Sequence, residues 1–136
     1  MDDTLNIITR NATLEDKNFI FSTWLKGNYF GNFYFGEMPQ DLYFSEYAAH
    51  ITKVLQNPHT RITIACSDDQ PNWLVGFSVY QGHVLHWVYV KKDYRRKGVA
   101  TLMLKDKNIH VVTNLTGIGC TLKNLKGLVF NPMEKI

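Results

Sequence analysis

The stretch "HVLHWVYVKKDYRRKGVATLML", His83 to Leu104, decides how the rest of the chain is read. Its first eight residues form an apolar run rich in β-branched and aromatic side chains, which reads as a strand. Its last six, Val99 to Leu104, read as the start of a helix. Between them Lys91, Lys92, Arg95, Arg96 and Lys97 fall within seven positions, and Gly98 follows. A strand, a basic turn and a helix start have a physical consequence when joined in that order. The first-turn N–H groups have no helical partner, and they carry the positive end of the helix dipole. Gly98 and Ala100 leave room for a ligand to approach the backbone. Such a place suits an anion, and a pyrophosphate in particular. Arg95, Arg96 and Lys97 can add charge-assisted contacts.

The charge distribution favours one ligand at one place. The chain has 136 residues, with fifteen Lys and Arg against twelve Asp and Glu, for a net charge of +3. Five of the fifteen lie in the quoted stretch, so the remainder is mildly acidic. A nucleic-acid coat usually spreads its basic residues over a face. Hydrophobic residues make up 45%, an ordinary globular share. The length fits a single domain over residues 1–136. "MDDTLNIITR" has no charged-then-apolar leader pattern, and no apolar run approaches the ~18 residues that span a bilayer. The expectation is a soluble intracellular protein without membrane contact. Cys66 and Cys120 suit a reducing compartment. With scattered histidines they make no zinc pattern, so no metal is expected.

Outward from the quoted stretch, the period of the apolar residues assigns the other elements. "LNIITR" alternates and reads as a first strand. Thr13 and Asp16 form a capping box that opens a helix, with Phe19, Ile20, Thr23 and Trp24 on one face and Gly27 placed to stop it. "NYFGNFYFGEMP" reads as an aromatic loop. Pro39 and Asp41 open a second helix, striped by Tyr43, Tyr47, Ile51, Val54 and Leu55 and ended by Asn57-Pro58. "RITIACS", "WLVGFSVY" and "HVLHWVYV" are strands, the last two a hairpin about "QG". "VATLMLKD" is a helix, "IHVVT" a strand, "TGIGCTLKNLKG" an ambiguous segment and "LVF" a last short strand. The order β-α-α-β-β-β-α-β-(α)-β predicts an α+β or mixed α/β sandwich. Its one β-α-β crossover should be parallel and right-handed, with the ligand at the carboxyl ends of its strands.

The pattern Arg-x-x-Gly-x-Ala after a long strand resembles the acetyl-CoA pyrophosphate loop of the GNAT acyltransferases. The resemblance is strongest over His83–Leu104, weak from Gly117 onward, and consistent with the element order of the whole chain. It implies a GNAT-like, mostly antiparallel twisted sheet with one parallel β-α-β unit at the cofactor site. "STWLKGNY", "MPQDLYF", "VLHWVYVKKDYRRKG" and "FNPM" are further similar to small GNAT-like proteins of tailed bacteriophages. That implies a bacterial or phage-infected host cytoplasm.

The resemblance also implies roles. Backbone groups from Trp87 to Val90 would bind the pantetheine arm of acetyl-CoA. An N–H near Val88 or Tyr89 would polarise the thioester carbonyl. The N–H groups from Arg96 through Lys97, Gly98, Val99 and Ala100 to Thr101 would hold the pyrophosphate. Asn114 fits an asparagine that often contacts the cofactor, or else caps a short helix. The reaction would be direct attack by an amine, which must first lose a proton. Many members place a carboxylate near the position of Val84, which cannot serve. His86, two residues on and on the same side of a regular strand, is the candidate base, with Glu46 as the alternative. His50, His59, His83 and His110 carry no spacing signal and read as surface or packing residues. Thr121 stands where the family commonly has a tyrosine that protonates the departing thiolate, with Cys120 beside it. That departure keeps a second function open, a GNAT-fold binding module without catalysis. A third is a nucleic-acid binder or base modifier, drawn from the basic run and the aromatic loop. The acceptor amine, on a small molecule, a protein or a nucleic acid, is not named by any motif. An exposed strand near the C-terminus would allow a homodimer.

Overall fold

The computed structural model describes residues 6–31, 36–105, 107–113 and 129–131. Six strands form one sheet in chain order: β1 (Ile7–Asn11), β2 (Arg61–Ser67), β3 (Leu74–Gln81), β4 (Val84–Val90), β5 (Val111–Val112) and β6 (Val129–Phe130). β1 to β4 are antiparallel neighbours. β4 and β5 are parallel, as the single crossover predicts. β5 and β6 are parallel too, a second parallel pair that the periodicity did not announce. The expected strand over "IHVVT" narrows to two paired residues.

Two helices, α1 (Lys17–Gly31) and α2 (Gln40–Gln56), cover one face of the sheet, and the short α3 (Val99–Leu104) lies on the other. Each face has its own core. Ile20, Trp24, Ile51 and Val54 from the long helices meet Ile64, Cys66, Phe77, Val79 and Trp87. On the far side Val99 and Met103 of α3 meet Ala65, Val75, Leu85, Val88, Val90 and Val112. A six-residue helix is marginal alone in water. Burying Val99 and Met103, at roughly 1.5–3 kcal/mol each, is what holds α3 in place.

The helix starts follow the sequence more closely than the helix ends. Asp16 accepts hydrogen bonds from the Thr13 N–H at 2.7 Å and from its hydroxyl at 3.2 Å. Arg10 of β1 clamps the same carboxylate with two guanidinium nitrogens, at 2.8 and 3.1 Å. The carboxylate is held below its usual pKa, chiefly by Arg10. Gly27, however, does not stop α1, which runs on to Gly31. A Cβ at Gly27 would lie 3.2 Å from the Trp87 ring, so this glycine makes space for an indole from β4. The expected loop from Asn28 therefore begins inside a helix. Asn28 is buried and donates to the Tyr43 hydroxyl at 3.2 Å, which in turn donates to the Leu25 carbonyl at 2.8 Å. Residues 32–35 of that stretch lie outside the described residues.

Gly76 serves a similar purpose on the other face. A Cβ there would lie 2.5 Å from the Tyr89 carbonyl oxygen and 3.3 Å from the Met103 methyl. Only a bare backbone lets β3, β4 and α3 approach this closely.

Candidate functional site

β4 is paired along its whole length on one side and barely on the other. Toward β3 it pairs from Val84 to Val90, with one shift of register. Toward β5 the pairing covers Val84 and Leu85 only, followed by the Thr113 N–H on the Leu85 carbonyl at 3.0 Å. From His86 to Val90 the β5-side edge of β4 has no strand partner among the described residues. The result is a seam that opens toward the carboxyl ends of the two strands, with backbone groups along one wall.

His86 sits where the seam opens. Val79 faces Trp87 and Tyr80 faces Leu85, so His86 is the extra residue of a β-bulge. The bulge changes which face each residue uses. Trp87 and Tyr89 pack with the α1–α2 core, whereas Leu85, Val88 and Val90 pack with α3. His86 is 3% exposed, and its Nδ1 lies 3.1 Å from the Thr113 hydroxyl. Burial, reinforced by the charge of His50, pulls its pKa down to about 4. Desolvation disfavours the charged ring, so the candidate base is weaker than an ordinary imidazole of pKa ~6.5.

His50 is the residue that sequence reasoning passed over. It lies on α2, with its ring 5.1 Å from that of Tyr47 and 6.5 Å from that of Trp24. Trp24 stacks on Trp87 at 6.1 Å, and His50 is close enough for its charge to act on His86. His50 is exposed at its outer edge, and its pKa is lowered by the packing around its ring and then by Lys53. The four-residue spacing of Tyr43, Tyr47 and Ile51 marks this side of α2, but nothing in the sequence joins it to β4. Glu46, the alternative base, is exposed and is not among the groups that perturb either imidazole.

The basic turn lies at the carboxyl end of β4. A 3-10 turn over Lys92–Tyr94 leads into Arg96, Lys97 and Gly98, all exposed. Arg96 and Gly98 both take positive φ, 63° and 81°. For Arg96 the left-handed region costs roughly 1 kcal/mol; for Gly98 it is free of that strain. No atom lies within 4 Å of where a Gly98 Cβ would stand. Leu102 N–H donates to the Gly98 carbonyl at 2.9 Å, the first bond of the α3 ladder. The N–H groups of Val99, Ala100 and Thr101 therefore precede that ladder. Val99 is buried and Thr101 exposed. Arg95 is exposed but folds back, its Nε donating to the Val90 carbonyl at 2.8 Å. On the β3 side, Trp73 Nε1 donates to the Tyr94 hydroxyl at 3.3 Å, and the Lys91 ammonium stands 4.9 Å from the Trp73 ring centre.

Of the residues predicted from sequence, the structure brings Val88, Tyr89, Val90 and the Arg95–Thr101 loop to one end of β4, with His86 at the head of the seam. Val88 and Val90 are buried, and Tyr89 is half-buried between Phe19 and Phe77. Asn114, Cys120 and Thr121 lie outside the described residues. Among the described residues no three His, Cys, Asp or Glu side chains converge as metal ligands, and no helix is long and apolar enough to cross a membrane.

No protein-family model and no curated protein matches this chain. Solved structures do. A "predicted acetyltransferase" from Clostridium acetobutylicum, crystallised with acetyl-CoA, is 17% identical with a TM-score of 0.61, covering 96% of this chain and 95% of that one. A ribosomal-protein-alanine N-acetyltransferase from Brucella melitensis biovar Abortus 2308 is 17% identical with a TM-score of 0.52, covering 96% and 98%. The aminoglycoside N-acetyltransferase AAC(6')-Iy in complex with CoA is 16% identical with a TM-score of 0.51, covering 97% and 92%. At these identities the likeness is one of fold, and the fold of this chain is that of the GNAT acetyltransferases.

Proposed function

We propose that this protein is an N-acetyltransferase that passes the acetyl group of acetyl-CoA directly to an amine. The observation that carries the reading is the one-sided pairing of β4. It leaves a strand edge that leads straight to an exposed, glycine-containing basic turn. The edge from Trp87 to Val90 would run beside the pantetheine arm, whose amides need backbone partners. The turn would take the pyrophosphate, with the N–H groups of Val99, Ala100 and Thr101 as donors. Arg96 and Lys97 add charge, and the open space at Gly98 admits the phosphate. The likeness in fold to acetyltransferases crystallised with CoA or acetyl-CoA supports the same donor.

Acetyl-CoA supplies an activated acyl carbon, and the protein's own groups must do the rest. Beyond the bulge at His86, an N–H near Val88 or Tyr89 would stabilise the carbonyl oxygen as it gains charge. His86, held by Thr113, would take the proton that the attacking nitrogen sheds. A ring kept neutral is a weak base at rest. It nonetheless suffices here, because a nitrogen already bonded to the carbonyl carbon is far more acidic than a free ammonium.

Calorimetric titration with acetyl-CoA tests the reading. Wild type should bind in the micromolar range, and Gly98→Glu, which puts a carboxylate into the turn, should lose at least about tenfold in affinity, or 1.4 kcal/mol. Absence of wild-type binding at millimolar acetyl-CoA would overturn it.

A further inference from the structure

The positions of the carboxylates bear on which amine this site accepts; the inference rests on the acetyltransferase reading. The chain has twelve Asp and Glu residues, and no described strand carries one. Of the stretches outside the described residues, 32–35 and 114–128 contain none in sequence, and the others hold Asp2, Asp3, Asp106 and Glu134. His86 has Thr113 from the end of β5 at hydrogen-bond distance and His50 from α2 within reach of its charge, and uncharged Trp24 from α1 lies against His50 and Trp87. Beside His50 on α2 are Tyr47 and Lys53. Glu46, one turn earlier, is exposed and acts on neither ring. Apart from the imidazoles themselves, the charge acting on the pair is the Lys53 ammonium. Trp24 and Trp87 each bury an indole N–H with no acceptor among the described residues.

These groups disfavour a cation. An alkylamine is an ammonium at neutral pH, with a pKa of about 10.4 for the lysine side chain. Beside the buried His86 it would be desolvated, with no carboxylate of the described residues acting on either imidazole, and would bring more N–H donors to a cluster already rich in them. A neutral amine brings a lone pair instead. That lone pair is the nucleophile and can also accept a hydrogen bond, while an attached ring packs against the aromatic cluster.

We propose that the acceptor is a weakly basic aromatic amine that enters the site uncharged, rather than an alkylammonium. The nitrogen lone pair forms the N–C bond at the thioester carbonyl. The C–S bond breaks and its electron pair leaves on sulfur. The proton lost by nitrogen ends on that sulfur, carried by the His86 ring or by water, so none is gained or lost overall. Neither a strong resident base nor an anionic recognition group is required.

The test compares 4-methoxyaniline with 4-methoxybenzylamine, which share a ring and differ in basicity. Acetylated product is measured by mass spectrometry and released CoA thiol by colour, from about pH 6 to 9 across the imidazole range. The aniline should be preferred by roughly a hundredfold or more in kcat/KM at neutral pH, a general acid–base-sized effect. Its rate should be nearly flat from pH 7 upward. Any benzylamine rate should rise about tenfold per pH unit as free base forms. Equal rates, preference for the benzylamine, or turnover of neither amine by protein that binds acetyl-CoA would overturn the inference. Failure to bind acetyl-CoA at all would instead remove the transferase reading beneath it.

Discussion

The two edges of β4 are built from the same seven residues and have opposite properties. The β3 edge is paired from end to end apart from the one bulge at His86, with Gly76 at one close approach and two stacked indoles above. The β5 edge is held at Val84 and Leu85 and has no further strand partner among the described residues. One side secures the fold, and the other leaves backbone groups for something else to pair with. Substitutions on the two sides should therefore act on different measurements: stability for the closed side, ligand affinity for the open one.

The largest effect should come from the closed side. Trp24→Ala removes the ring that stacks on Trp87 and packs against Tyr47 and His50. It should cost about 4 kcal/mol of stability by urea unfolding. A loss under about 1 kcal/mol would mean that the α1–α2 face is not the principal core.

Next comes a pH dependence located at the head of the seam. The folded state keeps His86 neutral down to about pH 4, whereas an unfolded histidine takes up its proton near 6.5. Unfolding thus binds a proton between those values, and stability rises with pH across that window. The contribution is complete above about pH 6.5 and is lost as pH falls toward 4, by about 3 kcal/mol in all. His50 contributes with the same sign. Urea midpoints at pH 7.5 and 4.5 should separate in wild type and draw together in His86→Gln. Identical separation in both proteins would assign the pH effect to other groups.

Gly76→Ala should cost about 2 to 3 kcal/mol, because the new methyl meets a backbone carbonyl that cannot turn aside. The smallest change in stability belongs to the open side. Gly98→Glu adds a side chain in clear space and should shift the fold by only about 1 kcal/mol, the strain of its positive φ, while lowering acetyl-CoA affinity by at least about tenfold. If it unfolds the protein instead, the turn belongs to the closed side and the contrast fails. Thermal melts beside the calorimetry separate these results.

The sequence displays the closed side better than the open one. β2 matches "RITIACS" residue for residue, and β3 and β4 fall within one residue of their patterns, because alternation and tight turns are local properties. The basic turn was legible for the same reason. The bulge at His86 was not, since a register is a property of two strands and neither one records it alone. Gly27 misled because its explanation lies sixty residues away in the Trp87 ring. The neighbourhood of His50 and His86 is likewise a contact between a helix face and a strand, with no motif to announce it. β5 read as longer than it is because periodicity reports which residues favour a strand, not where a partner strand diverges.

The hydrogen bond from Arg95 Nε to the Val90 carbonyl has a consequence for how quickly and how specifically an anion can be captured. A free arginine surrenders roughly 0.5–1.5 kcal/mol of rotamer freedom when a ligand fixes it. Arg95 has given up much of that freedom on folding, so its guanidinium would meet an arriving phosphate with its orientation already chosen. The same bond ties the turn to the last carbonyl of the strand, so that the two parts of the site keep a constant spacing. A lysine at this position would keep the charge and lose the ruler.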